Sequence, residues 1–362
     1  MWFTSDNAAG CPPEVFAALV DANANRIPGY TSDPAEGPNE TPGYAFGYGT
    51  DPLTEAVQAR IRRLFGHPDA VVHLVATGTA ANALALACLC PPWGTVFCAR
   101  EAHIVMDECG APEFFAHGSR MLGIDGPDGR IAPAALRRAI EGAGQSLHNM
   151  QRGALSLTNV TEAGTVYTAA QTAELVEIAK DFGLPVHLDG ARFCNAVAAT
   201  GATPAALSWR AGVDVLSFGG TKNGLLGVEA VVFFNPNLSE SFAFRRKRGG
   251  HLLSKGRFLA AQMLAMLEED RWLGWASHAN AMAARLAQGL AARGVRLAYP
   301  VQANILFPQW DAGISSHLRA HGAQFYDMPA PEGMEAARLV TSWSTTPAEV
   351  DAFLSLFKDL RG

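Results

Sequence analysis

Apolar positions fall along this chain in two textures. From about residue 53 to 235, short apolar runs at 71–76, 95–99, 154–160, 185–189, 213–218 and 228–234 alternate with longer helical stretches, among them 80–90, 133–142 and 169–182. Several of the runs are apolar at nearly every position, the pattern of strands covered on both faces. Their alternation with helices predicts βαβ units around a largely parallel sheet. After residue 245 two long Ala/Leu/Met-rich helices are expected at about 255–270 and 275–293, then short strands at 295–299, 303–307, 323–326 and 337–343, and a closing helix at 347–360. That order reads as a smaller α+β unit. The predicted division is an N-terminal segment 1–25 packed with the small domain, a large α/β domain 26–240, and a small C-terminal domain 241–362. Residues 23–47, rich in Gly, Pro, Asn and Tyr, have the turn composition of a long excursion or lid.

Composition narrows the function classes. With 362 residues, 49% of them hydrophobic and 17% charged, the chain can bury two cores, which argues against disorder. A net charge of −6 argues against a nucleic-acid or anionic-membrane surface, and the basic run Arg245-Arg246-Lys247-Arg248 reads as a solvated helix end or a phosphate contact. The six cysteines, at 11, 88, 90, 98, 109 and 194, form no CxxC pair and no zinc-type cluster with histidine. Neither a disulfide framework nor a metal site is indicated, and the thiols are expected reduced and buried. The start, Met1-Trp2-Phe3-Thr4-Ser5-Asp6, has no basic or apolar signal region, and no stretch approaches a membrane span, so a cytoplasmic protein is expected.

Two segments carry the chemistry. The first is His187-Leu188-Asp189-Gly190-Ala191-Arg192 and the second Ser217-Phe218-Gly219-Gly220-Thr221-Lys222-Asn223-Gly224. An acid at the carboxyl end of an apolar strand and a lysine in a Gly-rich turn after another strand are what a pyridoxal phosphate (PLP) enzyme requires: lysine for a Schiff base, carboxylate for the pyridinium nitrogen. Thr77-Gly78-Thr79-Ala80-Ala81-Asn82 opens an Ala-rich helix just after a strand, where free N–H groups and the helix dipole suit a phosphate. Each segment also has a plain structural reading, as a helix cap or a solvated turn. Their occurrence together favours a cofactor site. His103, after the 95–99 strand, offers a flat polar face to stack on the cofactor ring. His67, His73, His148, His187 and His251 have no comparable context, and His187 is expected on the opposite face of its strand from Asp189.

With these residues in hand, the chain resembles the low-specificity L-threonine aldolases, PLP enzymes of fold type I. The matching segments are Phe3-Thr4-Ser5-Asp6-Asn7, Tyr48-Gly49-Thr50-Asp51, Ala76 to Leu84, Asp107 to Phe115, His187 to Phe193, Ser217 to Gly224 and Arg338-Leu339-Val340-Thr341-Ser342. The resemblance implies that Lys222 forms the Schiff base, Asp189 meets the pyridine nitrogen, and His103 stacks on the ring. Gly78, Thr79 and Thr221 would bind the phosphate, while Ser5, Arg192 and Arg338 would grip the substrate carboxylate, with Arg192 also counted among the cofactor contacts. Tyr48 would reach a neighbouring subunit's site in a homodimer or homotetramer. Two departures stand out. Many of these aldolases carry Thr-His after the strand matching 154–160, whereas this chain reads Thr161-Glu162, which makes Glu162 the expected acid/base at the substrate hydroxyl, ionised beside the arginines. Residues 25–45 look like an insertion before Tyr48. The implied reaction is retro-aldol cleavage of L-threonine, L-allo-threonine and related amino acids to glycine and an aldehyde. The same Lys/Asp/Arg set serves aminotransferases, β-lyases and racemases, and a non-catalytic PLP-binding protein is the reading outside the enzyme class.

Overall fold

A computed structural model describes residues 1–24 and 47–357. The expected 25–45 insertion, most of the expected lid and the last residues of the closing helix lie outside the described residues. Seven strands build the large sheet: β1 Val71–Val75, β2 Gly94–Ala99, β3 Arg120–Ile124, β4 Gln151–Thr158, β5 Val186–Gly190, β6 Val215–Gly219 and β7 Glu229–Phe233. Their order is β1-β7-β6-β5-β4-β2-β3. The five strands from β3 to β6 in this order run parallel, and β7 is antiparallel to both its neighbours.

Double coverage explains the unbroken apolar runs. β5, β6 and β7 are buried at every position, and alternate residues feed different cores: Leu216 and Phe218 join the core on one face, Val215 that on the other. Phe65 anchors the first, with ring centroids of Phe193, Phe218 and Phe234 at 5.8, 5.6 and 5.3 Å. It is fully buried, so truncating it to Ala should cost about 3–5 kcal/mol.

The strand β3 was not anticipated. It is an edge strand with a single neighbour, and among its five residues only Ile124 is buried, so its apolar signal is weak. A second, antiparallel sheet contains β8 Arg296–Leu297, β9 Ile305–Leu306, β10 Pro308–Asp311, β11 Tyr326–Met328 and β12 Met334–Val340. Here β10 is the additional strand: it opens on Pro308, a residue that suits the first position of a strand but hides it from a run-based reading. The two long helices expected at about 255–270 and 275–293 are both present, with the break between them a few residues earlier than expected. Arg257–Leu267 is helical, Glu269 and Asp270 adopt φ of 52° and 53°, and a new helix begins as Arg271–Ala291.

Apolar side chains divide between the two sheets. Leu259, Met263, Met266 and Trp272 join the core of the large sheet, as does Val15 from the helix Pro13–Ala24. Met282, Leu286, Leu318, Leu339 and Phe353 form the core of the small sheet together with Phe3. The first residues are strand-like: Phe3 donates its N–H to Gln324 O at 2.9 Å, and its own carbonyl accepts from Val340 N at 2.9 Å. This places Ser5 to Asn7 at the junction of both sheets. Among the described residues no helix is long and apolar enough to cross a membrane. Of the cysteines expected to be buried, Cys90, Cys98 and Cys194 are, Cys11 and Cys88 are half-buried, and Cys109 is exposed in a turn.

Candidate active site

One edge of the large sheet collects the chemistry. The chain winds outward from β2 to β3 and, in the other direction, from β4 through β5 to β6. Ligands of open α/β sheets bind at such a reversal, beyond the carboxyl ends of the strands. His103 follows β2, Glu162 follows β4, Asp189 lies in β5, Lys222 follows β6, and Glu229 opens the antiparallel β7 at the same edge. Together with Thr77, Gly78, Thr79, Arg192 and Thr221 they line a cavity of about 380 Å³.

The loops that carry these residues are fixed by close backbone approach. A Cβ on Gly219 would sit 2.3 Å from the carbonyl oxygen of Ala191, so only glycine lets the end of β6 lie against the segment that follows Asp189. The turn Thr221–Asn223 then closes on Gly224, at φ 103°. Glu229 holds that turn from behind, its Oε2 accepting from Gly220 N at 2.7 Å. Burial raises the Glu229 carboxyl to about 7, against the lowering effect of Thr221, Gly220 and Lys222. Lys222 Nζ makes no hydrogen bond to any described residue.

Asp189 is 3% exposed, with Oδ1 accepting from Ala191 N at 3.0 Å and Oδ2 from Asn82 Nδ2 at 2.8 Å. His187, two residues earlier, lies on the same strand face and not the opposite one, as a period of two requires. Its ring nitrogens meet the hydroxyls of Ser156 and Ser217 at 2.9 and 3.0 Å. Burial lowers its pKa to about 4, which keeps it neutral beneath the aspartate.

His103 opens a four-residue helix that has no side-chain cap of its own. Glu162 supplies one from a distant loop, its Oε1 accepting from His103 N at 3.0 Å. Glu162 is expected to stay ionised beside the arginines, but burial and then Asp189 push its carboxyl up, while Lys222, Arg192 and His103 hold it back. The His103 ring meets Glu108 Oε1 through Nδ1 at 2.9 Å, and this hydrogen bond raises the imidazole above its ordinary value.

Arg192 enters the cavity already partnered. Its Nε and Nη2 donate to the two oxygens of Asp6 at 2.7 and 2.9 Å, and Asn304 Nδ2 adds a third donor to Asp6 at 3.0 Å. Arg338 stands behind, its guanidinium 5.0 Å from the Tyr326 ring centroid and its Nη2 3.4 Å from Thr4 O. Its Nε is buried and makes no hydrogen bond to a described residue. Of the expected carboxylate-binding residues, Arg192 lines the cavity; Arg338 and Ser5 do not. Ser5 caps the turn Asp6–Ala8 by accepting from Asn7 N, and it is Asn7 that reaches the cavity wall. Tyr48 also lies outside the cavity of its own chain, its ring 4.8 Å from Lys247 Nζ.

The donor set suits PLP. Helix geometry leaves the N–H groups of Gly78 and Thr79 without intrahelical acceptors, and a Cβ on Gly78 would meet nothing within 4 Å, so this end of the cavity can take a phosphate. Asp189 at one wall and Lys222 at another supply the acid and amine. The sequence reading assigned no role to Asp6, Asn82, Glu108 or Glu229. A signal was present for two of them: Asn82 lies in an otherwise apolar helix and Glu229 in an apolar strand, and a polar side chain so placed needs a buried partner.

Residues 44–312 match the model of the beta-eliminating lyase family. The chain is 41% identical over 360 residues to the low specificity L-threonine aldolase of Pseudomonas aeruginosa, covering 99% of this chain and 96% of that protein. Among solved structures it is similar to Leishmania major threonine aldolase, with a TM-score of 0.90 and 28% identity over 100% of this chain and 99% of that one. It also shares its fold, though little sequence, with Sphingomonas wittichii serine palmitoyltransferase, with a TM-score of 0.69 and 15% identity over 99% and 86%. Sequence, fold and the Lys222–Asp189 cavity agree: the chain belongs to the low-specificity L-threonine aldolases, PLP-dependent lyases of fold type I, within the beta-eliminating lyase family.

Proposed function

We propose that this protein cleaves L-threonine, L-allo-threonine and related L-3-hydroxy-α-amino acids to glycine and an aldehyde. One observation carries the reading: Lys222, Asp189, Arg192 and Glu162 face a single cavity that also receives the open N-terminus of the helix Gly78–Leu89. When bound, PLP supplies the electron sink for the pair left on Cα as the Cα–Cβ bond breaks. Lys222 would hold it covalently through Nζ. Gly78 and Thr79 would take its phosphate on their backbone N–H groups, with Thr221 beside them. Asp189 would keep a proton at the ring nitrogen, and His103 would cover the ring face.

The remaining residues orient the substrate. Arg192, its plane locked by Asp6, has Nη1 left to offer a carboxylate, and Arg338, behind it, would be the second cation of the carboxylate site. Ser5 does not line the cavity, and its part would be to cap the turn that presents Asp6 to Arg192 and Asn7 to the cavity wall. Fixing the carboxylate decides which bond to Cα stands perpendicular to the cofactor ring. Glu162, half-buried at the wall, would accept the proton of the 3-hydroxyl, and a carboxyl raised by burial is better matched to that task near neutral pH than an exposed one.

Oligomer and compartment belong to the same proposal. A homodimer or homotetramer in which Tyr48 completes a neighbouring subunit's site is supported by its position outside its own chain's cavity and by the exposed Phe114 and Phe244. A cytoplasmic location is proposed with it. Borohydride reduction of the holoenzyme followed by peptide mapping tests the site. Label on Lys222 and loss of aldehyde release in Lys222→Ala support the reading, and label on another lysine overturns it.

A further inference from the structure

The proposed chemistry leaves one buried pair unused. The Glu108 side chain is fully buried in the turn between two short helices, followed by Cys109 and Gly110 in left-handed conformation, φ 50° and 71°. Its Oε1 receives two hydrogen bonds, from Asn82 Nδ2 at 2.8 Å and from His103 Nδ1 at 2.9 Å. Asn82, from the first turns of the helix Gly78–Leu89, gives the other hydrogen of the same Nδ2 to Asp189 Oδ2 at 2.8 Å. An amide nitrogen has two hydrogens, so both are spent on carboxylates. Turning the amide over would set its oxygen against two acids, which fixes its orientation. The chain His103–Glu108–Asn82–Asp189 therefore runs unbroken from one wall of the cavity to another.

Each link needs the next. Two buried carboxylates near one another repel and lose hydration, which is tolerable only with donors between them. Asn82 supplies one donor to each, and His103 adds a third. In return, the His103 Nδ1 proton has a single acceptor in a defined direction, which sets both the tautomer and the plane of the ring.

We propose that Glu108 is a positioning residue: with Asn82 it fixes the His103 ring and the Asp189 carboxylate as one hydrogen-bonded unit, so that the groups serving the face and the nitrogen of the cofactor ring are held in register. This rests on the roles of His103 and Asp189 given under the proposed function. The charged groups that face His103 are Glu108 from its own turn, Asp189 from β5, Glu162 from the loop after β4 and Lys222 from the turn after β6. The Glu108 hydrogen bond raises the ring, while burial and then Lys222 oppose it, and burial raises the Glu108 carboxyl in turn.

The test is a titration. Protein labelled with [13C]histidine, as apoenzyme and as holoenzyme, gives Cε1 signals that shift on protonation, and His103→Gln assigns the one that matters. In the wild type His103 should titrate above the ordinary value of about 6.5. In Glu108→Gln it should fall by about 1–2 pH units, the effect of losing an adjacent carboxylate. The same variant should lower kcat, and that loss should shrink to within about twofold in a His103→Gln background, because Glu108 acts through the ring. An unchanged His103 titration, or an equal loss of kcat without His103, overturns the proposal.

If Glu108→Gln does not fold, Glu108→Asp decides: it keeps the charge but withdraws it by one methylene, so His103 must titrate lower, and an unmoved titration overturns the link. Asn82→Ala, which takes one donor from each carboxylate, should weaken PLP binding more than Glu108→Gln does; an equal or smaller loss overturns the Asp189 half. Because the apoenzyme titration needs no turnover, failure to cleave threonine would sink the proposed function while leaving the Glu108 link to be judged on its own result.

Discussion

Replacing Asp6 with Asn keeps the shape of a buried turn and deletes one charge. Asp6 is 1% exposed and Arg192 8%, and the pair is bidentate at 2.7 and 2.9 Å. Asparagine has only one oxygen to offer, so one guanidinium N–H would face an amide NH₂, and the buried cation would keep no counter-charge at contact. Removing one partner of a buried ion pair typically costs about 3–5 kcal/mol, a large part of the roughly 5–15 kcal/mol that holds a domain folded. The pH dependence has a definite sign. Burial alone would raise Asp6, but Arg192, Lys222 and Asn304 outweigh it, and the net shift is downward from 3.8. Its contribution is therefore complete above the unfolded value and fades as pH falls through the lower folded value. Urea unfolding of wild type and Asp6→Asn at matched protein concentration, from pH 7 in steps toward acid, should show a difference of about 3–5 kcal/mol that is flat down to about pH 5 and then closes. A difference below about 1 kcal/mol at pH 7, or one that does not narrow in acid, would show that the pair does not hold the N-terminal turn in place.

Three further outcomes are expected. Lys222→Ala should abolish turnover and the visible absorption of the bound cofactor while unfolding near the wild-type midpoint, since the turn is held by Glu229 and Gly219 and not by the lysine; retained activity would remove Lys222 from its role. Arg338→Leu should leave that absorption intact and weaken glycine binding, read from the spectral shift, by roughly 10- to 150-fold, the worth of a charge-assisted bond of about 1.5–3 kcal/mol. Unchanged glycine affinity would make Arg338 structural. Glu162→Gln should lower kcat by on the order of 10²-fold, because a glutamine oxygen can still accept from His103 N but cannot take the hydroxyl proton. The wild-type kcat/KM should fall as pH drops through a value raised above the glutamate norm of 4.5, and that acid limb should be missing in the variant; a variant within twofold of wild type on both L-threonine and L-allo-threonine would refute the role.

Strands covered on both faces announce themselves, and β4 to β7, with the lysine and aspartate at their ends, were legible for that reason. The edge strand β3 was not, because one neighbour and shallow burial leave it little apolar character. The break between the two long helices was legible but not its place: residues 268–270 are compatible with helix, and the interruption comes a few residues early, from left-handed backbone at Glu269 and Asp270, with Arg271 paired to Glu268 and Glu269 at 3.2 and 2.9 Å. Within the site, the residues expected from their place at strand ends converge on one cavity. What could not be read was partnership. Nothing in the spacing says that Asp6 binds Arg192 across 186 positions or that Asn82 bridges Asp189 and Glu108, because such contacts are set by how the sheets and helices pack. His187 is the opposite case, since a period of two already places it on the face of Asp189.

The most direct measurement is product stoichiometry. Incubated with PLP and L-threonine, the purified protein should release acetaldehyde and glycine in equal amounts, do the same with L-allo-threonine and yield a larger aldehyde from phenylserine, with no aldehyde from D-threonine or from the Lys222→Ala variant. Threonine consumed without aldehyde, or conversion of an amino acid to a 2-oxo acid or to its enantiomer, would contradict the account and assign the same cavity to a different reaction.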